Sequence, residues 1–261
     1  MPPDFFDPLG MKPDPYAGDS FVLSESPCTD HRRFWLKRSN EIIGFFIIGQ
    51  NAFHECEKLF TSYPSQNNKI SINTPFKLSL HSGHSIVAPL HRVIKQLQEG
   101  KGTLSNQIFV MLYGSFEAYL FDIIERSYRE IGKNENLFEL SLEIMMRKNW
   151  DGKFCKLRDV FRINYRSSEL RNHFKGFKME FNNSDIGDPL SFLDKLAQIR
   201  HKIVHTVNIM QSGEKIFIKQ EMIFPYYAFF YLLTDYIDLM FSRTFGYERI
   251  ITNPANPLNE N

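Results

Sequence analysis

The sequence predicts a mainly α-helical bundle with one small β-hairpin, and three features point to it. Residues 104–131, LSNQIFVMLYGSFEAYLFDIIERSYREI, place Ile108, Met111, Leu112, Phe116, Tyr119, Leu120 and Ile123 at helical spacing, a broad apolar stripe. Asp188-Pro189 opens a second clean helix: Asp is a strong N-cap residue, and proline's fixed φ suits the first turn. Aromatic residues make up 15% of the chain, with 25 Phe, a core-rich composition that no disordered chain shares.

The elements follow in order. Residues 1–32 are rich in Pro, Asp and Gly and lack periodicity, so they read as an irregular arm. A helix is expected over about 33–60, with Phe34, Ile42, Phe45, Phe46, Phe53 and Leu59 as its apolar positions. SYPSQNNKISINTP reads as a loop with one short extended piece at KISI. HSIVAPLHRVIKQLQEG reads as a helix that starts or kinks at Pro89 and is closed by Gly100, and the long helix over 104–131 comes next. Between Asn136 and Phe177 shorter helices are expected, split at Asp151-Gly152 and at Gly176. The helix over 188–207 turns Leu193, Leu196, Ile199, Ile203 and Val207 to the core. Ser212-Gly213, between β-prone runs, predicts a small hairpin before an aromatic last helix over about 225–241. In domain terms this gives an arm (1–32), a helical extension (33–100) that can belong to the same bundle, and a main helical domain (101–250).

Bulk properties narrow the function classes. The 261 residues suffice for one sizeable core, and 31 basic against 30 acidic residues leave a formal charge of +1. No global field attracts nucleic acid, so such a partner would need a local patch. Cys28, Cys56 and Cys155 are too few and too scattered for a disulfide framework or a thiolate zinc site, which points to a reducing, cytoplasmic setting. The opening MPPDFFDPLG lacks the pattern of a signal peptide. IIGFFIIG is too short to span a bilayer, and FPYYAFFYLLTDYIDLMF is interrupted by Asp235 and Asp238, so no membrane partner is expected.

The chemistry-bearing residues cluster at RHKIVH, residues 200–205. His201 and His205 are four apart and share a helix face, about 6 Å apart along the axis. Arg200 and His205 are five apart, roughly 140° around the helix, yet a long Arg side chain can reach the volume near His205, above all from a second copy of the helix. A guanidinium can then grip a phosphate while an imidazole moves a proton. Three readings are open from the residues alone: a solvated helix face, phosphate or nucleic-acid handling, and metal binding. The last is weakened because HxxxH offers two ligands and no HExxH pattern is present, so no metal and no cofactor are expected. RNHFKGFK adds a second basic patch through Arg171, His173, Lys175 and Lys178, which reads as solvated surface or as an RNA-binding region. No phosphate-binding glycine loop and no nucleophile elbow occur.

LDKLAQIRHKIVH closely resembles the signature helix of the HEPN superfamily, in which an Arg, a polar neighbour, a short spacer and a His follow one another. The matching residues are Arg200, His201 and His205, with His201 standing where the family most often has Asn. VMLYGSFEAYLFDIIERSY resembles the long early helix of HEPN proteins related to the RiboL-PSP and MAE-type groups, through Ser115, Phe116, Glu117, Ala118 and Tyr119. The resemblance covers about 104–245. It implies a HEPN-like bundle that dimerises with two such helices face to face. It also implies a metal-independent endoribonuclease of the toxin–antitoxin, abortive-infection or anti-phage kind, with an antitoxin or another defence-system partner; some members instead bind RNA, nucleotides or proteins without cutting. Arg200 and His205 would be catalytic, supported by His201, Lys202 and Glu117, the last orienting His205 or pairing with Arg200.

Overall fold

The computed structural model describes residues 28–66, 75–79, 85–131, 136–163, 165–177, 187–206 and 218–249, together with Ser71 and Asn73. The chain is mainly helical. Helix α1 spans Asp30–Gln66, α2 Leu90–Ile131, α3 Leu137–Met145, α4 Trp150–Phe161, α5 Ser167–His173, α6 Pro189–Thr206 and α7 Ile223–Phe245. Strands β1 (Pro75–Ser79) and β2 (Ser85–Pro89) pair antiparallel ahead of α2, with Lys77 opposite Val87. The arm over 1–32 lies outside the described residues up to position 27. So do residues 207–217, where a hairpin was expected, and most of KISI.

Two predicted breaks are absent, each for a physical reason. Gly100 does not close a helix: α2 runs through it unbroken from Leu90 to Ile131. The glycine is there for the crossing with α1, because a Cβ at Gly100 would lie 2.8 Å from Phe53 Cε1. Gly49 does the same from the other helix, where a Cβ would lie 2.6 Å from Leu104 Cδ2. Glycine at both points lets the two long helices approach closely. Likewise Asp151-Gly152 is not a split but the first turn of α4. The Asn149 side chain accepts a 2.9 Å hydrogen bond from the Gly152 N–H, so the chain breaks at 146–149 instead.

Helix α1 packs along α2 and touches α7, and α2 also contacts α3, α4 and α6. The boundary drawn at residue 100 therefore falls inside a single helix, and Trp35, Ile42, Ile43 and Phe46 share one core with α2 and α7. The buried face of α1 is set by these residues, so Phe34, Phe45 and Leu59 point outward. Met111 is similarly exposed, while Phe109, Tyr113 and Ile124 join the buried side of α2. Helix α7 is buried almost all round, from Phe229 through Thr234 without interruption, which explains its aromatic composition. Phe230 stacks on Phe116 with ring centroids 5.4 Å apart and meets Tyr113 edge-on at 5.8 Å.

By length and composition α2 is apolar enough to cross a bilayer, with 56% of its most apolar window buried in the bundle. The segment interrupted by Asp235 and Asp238 has a different use for its carboxylates. Asp235 takes Arg32 of α1 at 2.7 Å and Arg249, beyond α7, at 2.6 Å. Asp238 accepts the Thr29 N–H at 3.1 Å and Arg249 Nε at 3.0 Å. These aspartates tie both ends of the described chain to the central helix.

Candidate functional site

Helix α6 begins as the sequence indicates. The Asp188 carboxylate accepts the Ser191 N–H at 3.0 Å and the Ser191 hydroxyl at 2.7 Å, capping the first turn. Leu190, Leu193 and Leu196 are buried against the bundle, Ile199 and Ile203 are half-buried, and Val204 is exposed. The helix thus leaves the core toward its C-terminal end, and its titratable side chains emerge there.

Arg200 sits at that transition, with 38% of its side chain exposed. Its Nη2 lies 3.7 Å from Glu117 Oε2, an ion pair too long for a good hydrogen bond. Its guanidinium carbon stands 6.0 Å from the Tyr113 ring centroid, and its Nε is buried with no hydrogen-bond partner among the described residues. Tyr113 and Glu117 are one turn apart on α2, so this helix supplies an aromatic wall and a carboxylate to the same guanidinium. Burial raises the Glu117 carboxyl above the usual range, against the pull of Arg200 and then Lys153.

Helix α4 closes the site from a third side. Asp194 of α6 accepts the Trp150 backbone N–H at 3.0 Å, and Trp150 Nε1 donates to the Tyr113 hydroxyl at 3.2 Å. Lys153 lays its ammonium over the Trp150 ring, 4.6 Å from the centroid. Burial lowers the Lys153 ammonium, opposed by Asp194 and Glu117.

No family model matches the chain, and no curated protein or solved structure does either. The geometry of the residues therefore carries any assignment.

His201 and His205 are both exposed, their ring centroids 4.1 Å apart. They form one imidazole pair at the end of α6, on a turn shared with Arg200 and the exposed Lys202. The pair offers two nitrogen ligands, and among the described residues no group of three His, Cys, Asp or Glu gathers to hold a metal ion.

The described residues of the second basic patch divide between surface and interior. Arg171 is exposed and reaches Asp188 at 3.7 Å, beside the α6 N-cap. Asp188 is twelve residues from Arg200, about 18 Å of helix. His173 turns inward, its Nε2 3.2 Å from Asp235 Oδ2 and its ring 5.7 Å from that of Tyr236. Lys175 is exposed, and Lys178 lies outside the described residues. Sequence reasoning missed Tyr113, Trp150, Lys153 and Asp194 as neighbours of the cluster. Tyr113 alone left a trace, one helical turn ahead of Glu117.

Proposed function

We propose that the chain is a metal-independent endoribonuclease that cleaves RNA by attack of the ribose 2′-hydroxyl on the adjacent phosphate. The observation that carries this reading is the state of Arg200: a partly exposed guanidinium with, among the described residues, only a 3.7 Å ion pair, on the same helix end as two exposed imidazoles one and five residues further on. A phosphodiester offers paired acceptor oxygens to the exposed part of this guanidinium. The HEPN-like pattern of Arg200 and His205 supports the same assignment.

His205 acts as general base on the 2′-hydroxyl or general acid on the departing 5′-oxygen, the proton-transfer roles an imidazole most often fills in catalysis. Arg200 holds the scissile phosphate and neutralises the charge that builds on it. The 2′-oxygen forms a bond to phosphorus as the P–O5′ bond breaks. The products are a 2′,3′-cyclic phosphate and a 5′-hydroxyl, with a 3′-phosphate after hydrolysis. A homodimer that opposes two α6 helices places two Arg–His pairs in one cleft and lets them divide acid and base duties. Glu117 positions Arg200. The enzyme works in the cytoplasm as a toxin or anti-phage effector, apart from any membrane, with an antitoxin or similar protein restraining it.

The test is product end-group analysis on mixed-sequence RNA in excess EDTA, with light scattering on the same samples. Wild type should cleave as a dimer and leave cyclic phosphate ends. H205A and R200A should each lose at least about a hundredfold while retaining their helical circular dichroism. Full activity in H205A, or loss of wild-type activity in EDTA, overturns the mechanism. RNA binding by wild type without cleavage makes the chain a binding module instead.

A further inference from the structure

We propose that the outer face of α1 is a self-association surface, on which a second copy of the chain packs antiparallel about a twofold axis between residues 46 and 47. This goes beyond the ribonuclease reading and does not depend on it. Four large apolar side chains of α1 point away from the bundle: Phe34 is 72% exposed, Ile48 67%, Leu59 61% and Phe45 55%. At about 100° per residue they fall within one arc of roughly 60°, over about 37 Å of helix. The opposite face carries Trp35, Ile42, Ile43 and Phe46 into the core. Among the described residues no other element exposes more than two such side chains, and α6 exposes only Val204. A continuous apolar stripe of this length marks a contact surface.

The order of residues along the stripe selects the occupant. Phe34 and Leu59 are equally far from the midpoint between residues 46 and 47, and so are Phe45 and Ile48. An antiparallel copy centred there sets Phe34 against Leu59 of the second copy at both ends. Phe45 and Ile48 of the two copies then pack together at the axis. This is the self-complementarity that a twofold interface requires. The charges follow the same register. Lys37 and Glu55 are both exposed and lie five full turns apart, on one edge of the stripe. Within one chain about 27 Å of helix separates them. Antiparallel pairing brings Lys37 to within about one residue's rise of Glu55 of the second copy, whereas a parallel pair would oppose like charges. An aromatic side chain buries about 150–250 Å². Four large side chains at these exposures supply about 1,000 Å² over two copies, the size at which specific interfaces begin.

Sedimentation velocity on the full chain, over a range of micromolar concentrations, compares wild type with I48E, K37E, E55K and K37E/E55K. Wild type should be at least a dimer. I48E sets two carboxylates at the axis and should weaken association at least about a hundredfold. K37E and E55K each create two like-charge contacts per dimer and should weaken it about three- to tenfold. The double variant restores opposite charges and should recover wild-type affinity. The two positions are too far apart to repair each other within one chain, so recovery reads contact between copies. Position 48 is exposed, and thermal melting by circular dichroism verifies that I48E folds. A monomeric wild type overturns the inference and leaves the stripe to another protein or another segment of this chain. Association that I48E leaves intact, or a double variant no better than K37E or E55K, also overturns it. If the dimer survives I48E, the α6 pairing of the ribonuclease reading stands without this surface. If I48E is monomeric yet cleaves RNA at the wild-type rate, the α1 surface stands and the cleft between two α6 helices falls. A wild-type tetramer that I48E reduces to a dimer supports both contacts.

Discussion

Arg200 and His201 are adjacent in sequence, yet their surroundings give them different roles. Arg200 is half-enclosed by Tyr113 and Glu117, whereas His201 is exposed, its ring tilted against that of His205. A lysine at position 200 would keep the charge but lose the planar fork, and its shorter reach would move that charge away from where the guanidinium now stands. R200K is therefore expected to fall at least tenfold in kcat/KM, close to R200A. H201A, which removes only an exposed neighbour of His205, should lose less than about tenfold. Cleavage kinetics on one labelled RNA compares them directly, and R200K with wild-type kcat/KM would show that charge alone suffices at this position.

At the scale of elements, α1 and α2 are two long helices whose contact depends on glycine at chosen points. Gly44 and Gly100 are both helical glycines, and composition alone would treat them alike. A Cβ at Gly44 meets nothing within 4 Å, whereas one at Gly100 runs into the Phe53 ring at 2.8 and 3.0 Å. G44A should then stabilise the protein by about 0.5–1 kcal/mol, because alanine has the better helix propensity and nothing opposes it. G100A gains the same propensity but crowds an aromatic ring, a cost of about 1–3 kcal/mol. It should be neutral or destabilising, and the G100A/F53L double variant should recover the loss. Denaturant midpoints at constant slope measure all three. A gain in G100A equal to that in G44A would mean that α1 and α2 do not meet closely at this crossing.

Across the whole molecule, the central helix α7 holds both chain ends through Asp235 and Asp238. Arg32 is fully buried on α1 and pairs with Asp235 at 2.7 Å. Burial alone would raise the Asp235 carboxyl, but the His173 imidazole and the guanidiniums of Arg32 and Arg249 outweigh it and hold the carboxyl below its usual range. D235N breaks the pairs of Asp235 with Arg32 and Arg249 and should cost about 3–5 kcal/mol by urea unfolding. The pH dependence follows from the sign of the shift. A depressed carboxyl stabilises the fold above the unfolded-state pKa of about 3.9 and loses that contribution as pH falls toward the lower folded-state value. Wild type should therefore lose stability below about pH 4 more steeply than D235N. Equal stability of the two proteins at neutral pH would show that Arg32 is not compensated by this carboxylate.

What the sequence determined by itself is local. Apolar spacing and the Asp188-Pro189 start located α6 and the second half of α2, because helical periodicity and capping are set within a few residues of chain. The same locality put Arg200, His201 and His205 on one helix end. It could not tell a glycine that ends a helix from one that admits a neighbour, since at Gly100 the distinction lies in Phe53 on another helix. It could not separate His173, turned toward Asp235, from the exposed Arg171 and Lys175. Nor could it bring the Tyr113 ring of α2 against Arg200 of α6, with Trp150 of α4 hydrogen-bonded to the Tyr113 hydroxyl. Those relations are decided by how three helices pack around a shared aromatic core, and packing between distant segments leaves no period in the chain.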